Sequence, residues 1–99
     1  MSFELTITAD KTTINLGETV TVTYYSDGAY DTTIQSDNMP SAIDLGGPGE
    51  ISGTMKFLPV HDGSFTVTLT AYGVVAQSKG IDNMSNAETN IAQVLVNVQ

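Results

Sequence analysis

Cysteine, tryptophan and arginine are all missing from this 99-residue chain, and only three lysines stand against eleven carboxylates. Without cysteine there can be no disulfide, no thiolate nucleophile and no thiolate zinc site. The lysines, Lys11, Lys56 and Lys79, are scattered, so no basic patch exists to neutralise phosphates. Nucleic acid and anionic membrane are therefore excluded as expected partners, and the formal net charge of -8 points the same way. The first residues hold neither a basic segment nor an unbroken apolar run, so no signal peptide is expected. No stretch approaches the roughly eighteen apolar residues of a membrane span. At 40% hydrophobic and 14% charged residues, the composition is that of a folded chain. The length allows one domain, 1–99.

What is present is alternation with period two, and no window carries a helical stripe. Leu5, Ile7 and Ala9 alternate with Thr6 and Thr8, and Ile14 and Leu16 resume the inward face after a turn at 10–13. Val20, Val22 and Tyr24 alternate with Thr19, Thr21 and Thr23; Tyr30, Thr32 and Ile34 predict a third strand. Ile43 and Leu45 predict a short edge strand, and Ile51, Gly53, Met55 and Phe57 one face of another, closed by Pro59. Phe65, Val67, Leu69 and Ala71 follow the turn His61-Asp62-Gly63. Residues 76–90 read as a long polar loop before a last strand over 92–98. Seven or eight short strands with regular turn signals predict an all-β, antiparallel sandwich or barrel. The expected core is Val20, Val22, Ile34, Phe57, Phe65, Val67, Leu69, Val94 and Val96.

The opening run from Leu5 to Tyr24, with its strand, kink, Gly17-Glu18 turn and second alternating strand, resembles immunoglobulin-like domains of tailed-phage virion proteins and bacterial surface proteins. The segment from Asp62 to Ala71 looks like their penultimate strand, and Val94 to Val98 like their last. The resemblance implies an immunoglobulin-like two-sheet sandwich without a disulfide. Tyr24 and Val67 then stand where antibody-type domains carry paired cysteines, and Phe65 where they carry a corner tyrosine. Residues 29–60 match loosely, and the resemblance leaves their sheet membership open.

Few residues suggest chemistry. His61, Asp62 and Ser64 hold the side chains of a nucleophilic triad, but sequence neighbours rarely converge in that geometry, and a solvent-facing turn is expected instead. Asp27, Asp31, Asp37, Asn38, Asp44, Asp62, Asp82 and Asn83 could offer oxygen to Ca²⁺, yet none shows the spacing of a calcium loop. Asx side chains in turns are the simpler reading. Gly46-Gly47-Pro48-Gly49 lacks the lysine and helix of a phosphate loop. No catalytic residue, cofactor or metal is expected.

The expectation is a non-enzymatic accessory protein, and the resemblance implies a tailed-phage virion component that decorates or stabilises the capsid. Its partners would be other virion proteins, the major capsid protein first, with homo-oligomerisation and weak binding to cell-surface glycans as further expectations. It would assemble in the bacterial host cytoplasm. The alternative is a carbohydrate- or receptor-binding adhesion module of a bacterial surface protein. Charges spread singly leave apolar loop residues to supply affinity, and Met39, Ile43, Leu45, Ile81 and Met84 are the expected contacts. The competing reading folds both loops back and buries these side chains.

Overall fold

The computed structural model describes residues 4–37, 39, 41–47, 49–73 and 89–99. Its strands are β1 (Glu4–Ala9), β2 (Thr13–Ile14), β3 (Val20–Asp27), β4 (Asp31–Ser36), β5 (Ile43–Gly46), β6 (Ile51–Phe57), β7 (Gly63–Tyr72) and β8 (Thr89–Val98). They form two sheets, β1-β3-β6 and β2-β8-β7-β4-β5. Every pairing is antiparallel except the two-residue contact of β2 with β8, which is parallel.

Threonine and apolar residues alternate because one sheet face must be dry and the other wet. Val20, Val22, Ile34, Phe57, Phe65, Val67, Leu69 and Val96 are buried between the sheets, joined by Ile14 and Val98. Val94 is only half-buried, because β8 lies at a side of its sheet that β2 covers at Asn97 and Val98 alone. The last strand also starts at Thr89, earlier than its polar opening predicts, because Thr89 and Asn90 pair with Tyr72 and Ala71. Leu16 does not resume the inward face. Asn15-Leu16-Gly17-Glu18 is a tight turn in which the Glu18 N–H donates to the Asn15 carbonyl at 3.0 Å, and Gly17 takes the positive φ of 99° that the turn demands. Leu16 is thereby carried outward. Tyr30 is likewise exposed, in the connection before β4.

The strand directions define two poles of a body 40 × 23 × 16 Å. One, the Pro59 pole, gathers residues 10–12, 15–19, 37, 39, 41–42 and 58–62 and the end of β8. The other, the Tyr30 pole, gathers the start of β1, residues 28–30, 47 and 49–50, the end of β7 and the start of β8. Between them the core changes character. Near the Pro59 pole, Phe57 of one sheet meets Phe65 of the other, ring centroids 6.2 Å apart and tilted by 49°. Nearer the Tyr30 pole the sheets are joined by polar atoms, Ser26 Oγ and Thr32 Oγ1 at 2.9 Å, both residues fully buried. Gly53 faces Tyr24 across β3 and β6, and a Cβ there would stand 2.7 Å from the phenol oxygen. The glycine makes room for the ring.

Candidate functional site

The most uneven surface is the Pro59 pole. Pro59 is buried, so in an extended segment its neighbours must point away, and Leu58 and Val60 are 61% and 71% exposed. Leu16, thrown out by its turn, is 51% exposed. The pairing of Val20 with Phe57 sets Thr19 beside Leu58, and the Leu16 N–H donates to the Gln99 carbonyl at 3.0 Å, next to the turn after Val60. Three large aliphatic side chains therefore share one end of the sandwich.

Three of the four carboxylates around them are engaged locally. Asp10 Oδ1 accepts from the Thr21 N–H at 2.9 Å, and Asp37 Oδ2 from the Thr66 N–H at 3.0 Å. Glu18 accepts from the Asn15 N–H and lies 3.9 Å from the Lys11 ammonium. With Lys11 and Lys56 against Asp10, Glu18, Asp37 and Asp62, this pole keeps both lysines of the described residues and is the less acidic end of the chain. The opposite pole carries Glu4, Asp27, Asp31, Asp44 and Glu50, and no lysine among the described residues. There the Tyr25 hydroxyl donates to Glu50 Oε2 at 2.9 Å, a bond that together with nearby negative charge pushes its pKa up to about 12. Asp44 Oδ1 accepts from the Gly46 N–H at 2.8 Å, while Oδ2 is sealed from solvent without a hydrogen bond of ordinary length. The Asp31 carboxyl beside it, and then burial, raise the Asp44 pKa.

A second feature is a groove of about 460 Å³ on the outer face of the five-stranded sheet. Its floor is Thr33 and Gln35 of β4 with Thr68, Thr70 and Tyr72 of β7, and Met39 and Ala42 form a wall. Small hydroxyl side chains in the middle of the sheet leave the trough, and the longer flanking groups rim it.

The expected contact residues are dispersed. Met39 and Leu45 are half-buried and pack against the core, whereas Ile43, at the rim of β5, is exposed. Ile81 and Met84 lie outside the described residues, as do Asn38, Asp82 and Asn83 of the calcium reading. Asp27, Asp31 and Asp44 sit toward the Tyr30 pole and Asp37 and Asp62 toward the other; among the described residues no three His, Asp or Glu are placed to hold a metal. His61, Asp62 and Ser64 are all exposed. Leu58 and Val60 were not anticipated. The signal was there: a buried proline flanked by aliphatics within a five-residue connection points both neighbours outward. No family model, curated protein or solved structure matches this chain.

Proposed function

We propose that the chain is a non-enzymatic interaction module, an immunoglobulin-like sandwich that docks end-on upon a larger assembly through its Pro59 pole. The carrying observation is that Leu16, Leu58 and Val60 are all exposed at one end, the pole that holds both described lysines, while the more acidic pole faces away. Burying such side chains against a partner contributes roughly 1.5–3 kcal/mol each. The acidic pole, left in solvent, repels its neighbours and keeps the free chain soluble. The strand order supports the immunoglobulin-like reading: the chain enters in the smaller sheet and crosses to β8 of the larger within its first strands.

The assembly we propose is a tailed-phage virion, with the chain decorating or stabilising the capsid, on the strength of the resemblance at Leu5–Tyr24, Asp62–Ala71 and Val94–Val98. The test is co-sedimentation of the purified chain with capsids encoded by the same genome. Wild type should pellet with the particles and Leu58→Asp/Val60→Asp should stay in the supernatant; equal pelleting of both overturns the docking pole. The second reading, a glycan-binding adhesion module, is favoured by the groove, where Tyr72, Gln35 and three threonines offer an aromatic face and neutral polar groups. A glycan array on which Tyr72→Ala loses binding separates the two.

A further inference from the structure

The outer edges of the two sheets are protected unequally. β6 carries Lys56 and Gly53, β5 is four residues long, and β1 is six residues long and opens with Glu4. β8 has none of these devices. It runs ten residues, TNIAQVLVNV, without charge, proline, glycine or register shift. Long, flat, uncharged edges pair readily with other strands, and proteins normally shorten, charge or bend them. Among the described residues only β2 pairs with this side of β8, at Asn97 and Val98.

The backbone direction there is set by known bonds. The Asn97 N–H donates to the Thr12 carbonyl and the Gln99 N–H to the Ile14 carbonyl, at 2.8 Å each. Odd-numbered residues of β8 thus turn their amides toward this side, and by strand alternation Ile91, Gln93 and Leu95 do so beyond the end of β2. The side chains of these same residues lie on the outer sheet face, where Ile91 is 62% and Leu95 51% exposed. Gln93 between them donates from Nε2 to Thr68 Oγ1 at 3.0 Å, which holds its amide flat on the sheet.

We propose that this edge pairs antiparallel with the same edge of a second copy, about a two-fold axis at Gln93. In that register Gln93 meets Gln93, and Ile91 of each copy falls opposite Leu95 of the other. Each of these pairs exchanges both backbone hydrogen bonds. Ala92 and Val94, half-buried on the inner face, come opposite one another and lose further surface. The occupant follows from charge and pattern. A chain of net charge -8 repels its own copies, so a self-contact must fall on an uncharged strip, and β8 is the uncharged strand on an open side. It wants a neutral strand with aliphatic side chains four residues apart on one face, which is β8 itself, and two-fold symmetry supplies the match. Two single strands bury less than the ~1,000 Å² of a stable interface, so the dimer is weak. It tightens with salt, because screening removes the repulsion between the acidic bodies.

The experiment is sedimentation equilibrium of the full chain over a concentration series, at low and high ionic strength, with amide exchange read in parallel. A monomer–dimer equilibrium that strengthens with salt, and protection of the Ile91, Gln93 and Leu95 amides that grows with concentration, is the expected result. Gln93→Pro removes an edge-facing donor and leaves the backbone bonds to β7 intact, losing only the side-chain bond to Thr68. Ile91→Lys/Leu95→Lys sets like charges opposite each other across the axis, and each variant should weaken the dimer by roughly tenfold or more. If the proline variant does not fold, the lysine pair decides alone. A monomer up to about 1 mM overturns the proposal. So does a dimer insensitive to the foldable variants, and so do three amides already protected in the dilute monomer, which would place another part of the same chain on this edge. At high ionic strength, where the added carboxylates are screened, Leu58→Asp/Val60→Asp should leave the equilibrium unchanged, which separates this edge from the docking pole.

Discussion

The two poles of this sandwich close the same pair of sheets with opposite chemistry. At the Pro59 pole the contact between sheets is aromatic and aliphatic, Phe57 on Phe65 with Val20 and Val98 nearby, and the surface is aliphatic as well. At the Tyr30 pole the contact is a pair of hydroxyls, Ser26 and Thr32, and the surface is carboxylate and phenol. A dry contact gains from area and tolerates any orientation, whereas a hydroxyl pair contributes little net energy but penalises misalignment. Of the two contacts, the aromatic one at the first pole buries more apolar area and so contributes more to stability. The second fixes how the sheets are set against each other where no disulfide can do so.

Removing the dry contact should therefore have the largest effect. Phe65→Ala should cost about 3–5 kcal/mol in chemical denaturation, since a buried ring is lost and rigid sheets collapse poorly into the gap. At the other end, Ser26→Ala should cost about 1–3 kcal/mol by stranding the Thr32 hydroxyl in a dry layer. Adding Thr32→Val to that variant should return most of the loss. If the double variant were as unstable as the sum of the singles, the hydroxyl pair would not be the element joining the sheets there.

The same contrast explains what was legible in the residues. The dry half follows from alternation alone: all of Val20, Val22, Ile34, Phe57, Phe65, Val67 and Leu69 are where period two sets them. Thr32 shares the phase of Ile34, but low hydrophobicity leaves it, Ser26 and Asp31 out of the expected core, because their burial depends on partners contributed by another strand. Leu16 failed for a local reason, a turn that needs Gly17 at positive φ and so breaks the phase of the alternation. The start of β8 at Thr89 was obscured because a polar strand end is specified by its neighbour β7. Contact residues were sought in the irregular segments, but Met39 and Leu45 fold onto the core. Ile43 stays exposed, and the short connection around Pro59 adds Leu58 and Val60 to it.

The acidic pole offers a third, smaller test. Asp44 has a raised pKa in the fold, so between the unfolded value of about 3.8 and that raised value the native state holds a proton the unfolded chain has released. Stability from this group is complete at low pH and falls as pH rises through the window, leaving a cost at neutrality. Asp44→Asn replaces the sealed Oδ2 with an amide that donates to Asp31, and keeps an acceptor for the Gly46 N–H. The variant should be more stable than wild type at pH 7, with the gap closing toward pH 3. Equal stability of the two proteins across that range would mean that the Asp31–Asp44 contact is not maintained in solution.

The smallest effect on stability belongs to the surface proposed for docking. Leu58 and Val60 keep most of their area in water in the free chain, so little is lost on folding when they are replaced. Leu58→Asp/Val60→Asp should change the unfolding free energy by no more than about 0.5 kcal/mol per site. Pro59 between them stays buried and holds the connection in place. The same double substitution should abolish pelleting with particles, because it puts carboxylates where a partner would have to exclude water. Folding and docking thus separate at these positions, and thermal unfolding run beside the binding assay reads both. A large drop in melting temperature would show that Leu58 and Val60 serve the fold, and the distinction between a structural interior and a docking exterior at this pole would collapse.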